Sequence, residues 1–293
     1  MLRTRSAIHF VGILGWPLDH TLSPAIHSAA FRQTGLDWVY LSWPVEPEML
    51  GDAIAGIRAL GALGANVTMP HKETVMEHLD ELSGDARVVG AVNTIQRVGA
   101  RLVGHNTDVD GFRYFVERDA GIDVTGIRAL VLGAGGAARA VVRALDLLGA
   151  GEVAVAARDL DKGSKLAALA ESSRGVAVPW DDAVESAAGY DMVVNATPVG
   201  TGSGDPLPST DWRAGQVVVD LVYNPPSTAI VERARAAGAF AWGGIGMLVH
   251  QAAASFGIWT GQDPPLETMS AAALHAIGGL RQRPGDKGTN PAT

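Results

Sequence analysis

Lys72 stands in the stretch GANVTMPHKE, residues 64 to 73, where a short apolar run passes through Pro70 into a predicted helix with the lysine in its first turn. The positive end of a helix dipole stabilises carboxylates and disfavours an ammonium group, so neither capping nor the dipole accounts for a lysine there. A lysine whose charged form is disfavoured is suited to proton transfer, and a nearby aspartate would hold it in place. A second chemical signal is Gly133-x-Gly135-x-x-Ala138. Two small residues let backbone N–H groups approach a pyrophosphate at a helix N-terminus, and the third lets the helix pack closely.

Both signals need particular elements around them. IRALVLGAGGAARAVVRALDLLG, residues 127 to 149, reads as strand, Gly-rich turn and helix, and EVAVAAR, VAVPW, DMVVNATP and QVVVDLVY recur as short apolar runs between helical segments. That alternation predicts a parallel sheet and places the glycines where a dinucleotide turn belongs. The second strand ends at Arg158, where NAD-binding sites commonly carry an acidic residue and where an arginine can receive a 2′-phosphate. Lys162 adds a second positive group, while Asp159 would accept from a 2′-hydroxyl or repel a phosphate. NADP is favoured and NAD stays open.

The first hundred residues read as another α/β unit. HFVGILGWP is followed by a helix with Ser23 as N-cap, Pro24 at its first position and Gly35 at its exit, then by WVYLSWP. A second helix carries Met49, Leu50, Ala53, Ile54, Ile57 and Leu60 on one apolar stripe; after the Lys72 segment comes a hairpin turning near Gly99, then a helix from about Asp108. Thr21, Ser23, Asn66, Thr68, Lys72, Asn93, Thr107 and Asp108 gather where these strands end, which is where open α/β sheets hold ligands. Ser23 and Asp108 are equally good helix caps, and Asn and Thr close turns.

Composition bounds the rest. At 293 residues with 47% hydrophobic and 18% charged, the chain suits two domains. A net charge of -8 argues against nucleic acid or an anionic membrane as partner. The absence of cysteine excludes disulfides and thiolate chemistry and fits a cytoplasmic protein. Arg3 and Arg5 precede AIHFVGILGWPL, but that run is broken by His9, Gly12 and Gly15 and reads as a first strand; RQRPGDKGTNPAT reads as a frayed tail. His9, His20, His27, His78, His250 and His275 show no ligand spacing, so no metal site is assigned.

Eight blocks in order, GWPLDHTLSPAIH, GANVTMPHK, GAVNTI, GHNTDVDGF, VLGAGGAARAV, NATPVG, DLVYNPPST and GIGMLVHQAAASFGIWTG, cover nearly the whole chain and resemble the shikimate dehydrogenase family. The resemblance implies a two-domain α/β fold. A substrate domain, residues 1–106 completed by C-terminal helices over 244–281, would flank a Rossmann-type NADP-binding domain with a parallel sheet over 107–243, with 282–293 as tail. It implies reversible NADPH-dependent reduction of 3-dehydroshikimate, with Lys72 and Asp108 as the catalytic pair. Thr21, Ser23, Asn66, Thr68, Asn93, Tyr223 and Gln251 would surround the substrate. Gly133, Ala134, Gly135, Gly136 and Ala137 would cradle the pyrophosphate, Arg158 and Lys162 would meet the 2′-phosphate, and Ala196, Thr197, Leu221, Gly244 and Met247 would lie near the ribose or nicotinamide. The chain would act on a small molecule as a monomer or homodimer. It departs from the family pattern at Thr21 (usually serine), His71 (commonly Phe), His105 (often acidic) and Asp159 (usually a hydroxyl residue). The alternatives are a quinate or mixed quinate/shikimate dehydrogenase using NAD, a non-catalytic dinucleotide sensor, and a methylenetetrahydrofolate dehydrogenase-like enzyme, for which no pterin-binding feature is found.

Overall fold

The computed structural model describes residues 9–18 and 21–280; the Arg3 and Arg5 segment and the frayed tail of the sequence reading lie outside them. Apolar runs flanked by turn residues form two six-stranded sheets. In the first, β1 (His9–Gly15) lies between the parallel strands β2 (Trp38–Pro44) and β3 (Gly64–Val67). The antiparallel hairpin β5 (Thr94–Val98) and β6 (Arg101–His105) then extends it to the short β4 (Glu81–Leu82). The hairpin turns at Gly99, whose φ of 63° suits a residue without a side chain.

The second sheet has the order β12-β11-β10-β7-β8-β9 and is parallel throughout. Its strands are β7 (Arg128–Leu132), β8 (Glu152–Ala157), β9 (Arg174–Pro179), β10 (Met192–Asn195), β11 (Val217–Asp220) and β12 (Phe240–Trp242). The order reverses between β7 and β10, the switch point where a doubly wound sheet opens a crevice for dinucleotides. The three-residue β12 lay below what periodicity can register.

Helices cover both sheets. α1 (Ser23–Gln33), α9 (Ile245–Thr260) and α10 (Leu266–Leu280) bury Ile26, Phe31, Val249 and Phe256 against one face of the first sheet; each such side chain contributes roughly 1.5–3 kcal/mol. α2 (Leu50–Leu60) covers the other face with Leu50, Ile54 and Ile57, while Met49 and Leu60, the two ends of the predicted stripe, are exposed. α3 (Gly84–Val89), α4 (Asp108–Tyr114) and α5 (Gly136–Leu147) join a core that continues into the second sheet. α6 (Leu160–Ala167), α7 (Trp180–Ser186) and α8 (Ala229–Ala236) complete the second layer system.

Three local expectations are corrected. No helix begins at Pro70: residues 69–73 form successive turns before a 3-10 helix at Thr74–His78. The Lys72 carbonyl accepts the Val92 N–H at 2.7 Å, so it is drawn out of any helical ladder toward the first sheet. Ser23 is not a cap; Leu22 occupies that position without a side-chain bond, and Thr21 Oγ1 accepts the Ser23 N–H at 3.3 Å. Asp108 does not cap α4 either, because Asn106 Oδ1 accepts the N–H groups of Asp108 and Val109 at 3.1 and 3.3 Å.

Candidate active site

With no helix under Lys72, its position is set by tertiary contacts. The ammonium donates to Asp108 Oδ2 at 2.6 Å, the lysine side chain being 20% exposed and the aspartate 7%. Asn93 Nδ2 donates to the other carboxylate oxygen at 2.8 Å, and Asn93 is fixed by the Thr107 N–H, 2.7 Å from its Oδ1. Because Asn106 takes over the cap of α4, the Asp108 carboxylate is free to face the lysine. The result is a nearly buried ammonium aimed by a carboxylate that is itself held on both oxygens, an arrangement suited to delivering one proton to a reacting oxygen.

The same lysine reaches the second sheet. A Cβ at Gly136 would stand 3.3 Å from Lys72 Cδ, so the start of α5 approaches the aliphatic stem of the lysine. Gly135 sits at the cap of α5, where no side chain bonds the leading N–H groups and no acidic residue occupies the first turn. Those donors are left for an anion. Gly133 has φ +103°, a conformation L side chains rarely adopt, and a Cβ at Gly135 would meet nothing within 4 Å. The residues present therefore fit a pyrophosphate.

A cleft of about 1060 Å³ runs between the sheets. Thr68, Lys72 and Tyr223 line it at one end, Gly133 through Ala137 in the middle with Ala196, Thr197 and Leu221, and Arg158, Asp159, Lys162 and Trp180 at the far end. Burial pushes the Tyr223 hydroxyl above its ordinary range, which keeps it a neutral donor. Asp159 Oδ1 accepts the Lys162 N–H at 3.1 Å and caps α6, so the ambiguity its charge raised in the sequence has a structural use. Arg158 and Lys162 are exposed.

Asp220, fully buried at the end of β11, braces the loops over the cleft. It accepts from Asn195 Nδ2 at 2.8 Å, from the Val222 N–H at 3.0 Å and from the Thr228 hydroxyl. Asn195 Oδ1 in turn accepts the N–H and hydroxyl of Thr197 at 3.1 and 2.6 Å. Burial pushes the Asp220 carboxyl above its ordinary range, against those hydrogen bonds.

Not every residue named from sequence faces the cleft. Met247 belongs to the core, and a Cβ at Gly244 would press on the Leu221 carbonyl, so both support the cleft wall. Asn66 is spent inside the protein: it accepts from Tyr40 at 2.7 Å and donates to Thr94 and Ser255 at 3.1 and 3.0 Å. Ser23 is buried, Thr21 and Gln251 are half-buried, and Gln251 Nε2 donates to the Leu248 carbonyl at 2.8 Å. His71 is buried with Nε2 2.7 Å from the Val45 carbonyl, a structural anchor rather than a participant. His105 is half-buried, and burial lowers its imidazole pKa. Asn106, Trp180 and Ser255 were missed: a tryptophan just after a strand's carboxyl end was the one available signal, and buried polar bridges leave none.

Among the described residues no group of three His, Cys, Asp or Glu is placed to hold a metal, and no helix is long and apolar enough to cross a membrane. Comparison with known proteins places three family models along the chain: the shikimate dehydrogenase substrate binding domain over residues 13–95, shikimate / quinate 5-dehydrogenase over 116–202, and the shikimate 5'-dehydrogenase C-terminal domain over 244–274. A shikimate dehydrogenase (NADP(+)) of Methanopyrus kandleri is 42% identical over 276 residues, covering 91% of this chain and 95% of the relative. The shikimate 5-dehydrogenase of Thermus thermophilus, solved with NADP(H) and shikimate, superposes with a TM-score of 0.83 at 39% identity, covering 92% and 99%. The quinate dehydrogenase of Corynebacterium glutamicum, solved with NAD, gives 0.82 at 31%, covering 91% and 99%.

Proposed function

The chain belongs to the shikimate dehydrogenase family, and from that premise we propose how its own residues carry out the NADP-dependent interconversion of 3-dehydroshikimate and shikimate. The observation that carries the reading is the Lys72–Asp108 pair, 2.6 Å apart at the end of a cleft that continues to an uncapped Gly-rich turn. Bound NADPH supplies the hydride. As the substrate carbonyl gains electrons its oxygen becomes an alkoxide, and Lys72 Nζ gives it a proton, an interaction stronger in the transition state than in the ground state. Asp108 keeps the ammonium aimed and stabilises it until the proton leaves; in the reverse direction Lys72 takes the proton from the hydroxyl. Thr68 and Tyr223, which line the same end, hydrogen-bond substrate hydroxyls, and by the family resemblance Thr21, Ser23, Asn93 and Gln251 complete the substrate's surroundings from outside that lining.

At the far end, Arg158 and Lys162 meet the 2′-phosphate of NADP, with Asp159 turned into the helix cap. Residues 1–106 with 244–281 serve as the substrate lobe and 107–243 as the cofactor lobe of a cytoplasmic enzyme acting as monomer or homodimer. Initial rates with shikimate and quinate, each against NADP and NAD, test this reading. Preference for shikimate with NADP supports it. Preference for quinate with NAD would move the chain to the neighbouring specificity, and cofactor binding without turnover would make it a sensor.

A further inference from the structure

Three hydroxyls from three elements meet behind the catalytic pair. Thr94 Oγ1 on β5 and Ser255 Oγ on α9 are 2.8 Å apart, and Thr107 Oγ1, just before α4, lies 3.2 Å from the first and 3.1 Å from the second. Thr94 and Ser255 are fully buried and Thr107 nearly so. A hydroxyl has one proton to give and two lone pairs to receive, so their hydrogen bonds can be counted. Ser255 donates to the Gln251 carbonyl at 3.0 Å, leaving it to accept from Asn66 Nδ2 at 3.0 Å and from Thr94. Thr94 having given its proton to Ser255, Thr107 donates to Thr94 at 3.2 Å, and Asn93 Nδ2 donates to Thr107 at 2.9 Å and to Asp108 Oδ1 at 2.8 Å. Every step from α9 to the catalytic carboxylate is then a buried hydrogen bond: Ser255, Thr94, Thr107, Asn93, Asp108.

We propose that Ser255 is a positioning residue that sets the register of α9 against the Asn93–Asp108–Lys72 relay. The helix it fixes also carries Gln251, one turn away, and packs closely on α4, since a Cβ at Gly111 would stand 2.7 Å from Gln251 Cβ. One hydroxyl thus ties the helix that closes the substrate wall to the strand and loop that aim the proton donor. Nothing in apolar packing requires a serine there, and the site is too buried for water to replace it. Removing it turns the Thr94 hydroxyl toward Asn93 Oδ1, 3.1 Å away, and leaves the Asn66 amide to Thr94 and the Asn93 carbonyl, 3.1 and 3.2 Å away, so the load falls on Asn93 and the cheapest relief is a turn of Asn93 or a shift of α9.

The inference rests on the catalytic role given to Lys72 and Asp108. Its test is Ser255→Ala in the full chain, read as kcat and KM for shikimate and for NADP well below the melting temperature. The expected result is a fall in kcat of about tenfold with a several-fold rise in KM for shikimate, as small misplacements of reacting groups produce, while KM for NADP stays within about twofold because the nucleotide turn is untouched. Thr94→Val and Thr94→Ser form the second arm: the valine, which lacks the hydroxyl, should repeat the loss, and the serine, which keeps it, should not. If Ser255→Ala folds and melts lower yet keeps both kcat and KM, or if the two Thr94 variants behave alike, Ser255 is structural only and the proposal falls. The Thr94 pair decides the matter if Ser255→Ala does not fold. An inactive wild-type chain would instead overturn the functional reading itself.

Discussion

His27→Phe turns a buried imidazole into a measurable pH dependence. His27 is fully buried, its ring stacks on Tyr40 at 4.6 Å and 3°, and neither ring nitrogen has a hydrogen-bond partner. Burial pushes its pKa down to about 3, with Asn66 opposing weakly. In the unfolded chain the group titrates near 6.5, so as pH falls below that value the unfolded state takes up a proton that the folded state refuses. Stability is fully present above about pH 6.5 and is lost progressively as pH drops toward about 3. At pH 5, about 1.5 units below the unfolded value, the loss is about 2 kcal/mol. For a chain of this size that is roughly 3 °C in melting temperature. Thermal unfolding of wild type and His27→Phe at pH 8, 7, 6 and 5 reads it out. Phenylalanine adds a pH-independent packing offset, so the quantity that matters is the difference between the two proteins, which should move by about 2 kcal/mol in favour of the variant from pH 8 to pH 5. A difference that stays flat across that range would refute the reasoning, since the folded protein would then accommodate the imidazolium.

Asp220 gives a pH dependence of the opposite sign. Its raised folded pKa means that stability is greatest where the carboxyl is protonated and is lost as pH rises through the folded value. Asp220→Asn keeps an oxygen for Asn195 and Val222, and its melting temperature relative to wild type should climb as pH goes from 4 to 8; a constant offset would count against the assignment. At the cofactor end, Trp180→Ala should raise KM for NADP and NAD alike by about tenfold with kcat preserved, because an aromatic platform under a base carries no phosphate preference; steady-state kinetics that show no change would remove Trp180 from the site. Arg158→Ala should cut the NADP over NAD preference in kcat/KM by about tenfold or more, whereas Asp159→Asn should shift it by less than about threefold, its side chain being occupied as a cap. The reverse ranking would make Asp159 the selector.

Legibility in the chain followed the range of the interaction. The parallel sheet was readable because β7 to β11 carry short apolar runs and the glycine spacing marks the turn that ends β7, whereas the three residues of β12 are too few to show a pattern. The Gly99 hairpin and the Asp108 helix were readable for the same local reason. Lys72 was singled out for a dipole conflict that does not exist, since the Val92 N–H draws its carbonyl away from any helix. The oddity was real, but its cause was a partner 36 residues along the chain. Ser23, Asn66 and Asp108 show the complementary limit. Their types suit caps, turns and ligands equally, and only the fold reveals that Thr21 and Asn106 do the local bonding while Asn66 is consumed by Tyr40, Thr94 and Ser255. Buried hydroxyl bridges such as Ser255 to Thr94 join residues 161 apart and leave no periodic trace.

The most direct measurement of the central claim is the turnover of Lys72→Met against wild type with saturating shikimate and NADP, with cofactor binding followed separately. If Lys72 transfers the proton while Asp108 aims it, kcat falls by about 10²–10⁴-fold and NADP binding is kept, because the glycine turn and Arg158 are intact. Turnover within a few-fold of wild type would contradict the account and take the proton transfer away from the Lys72–Asp108 pair.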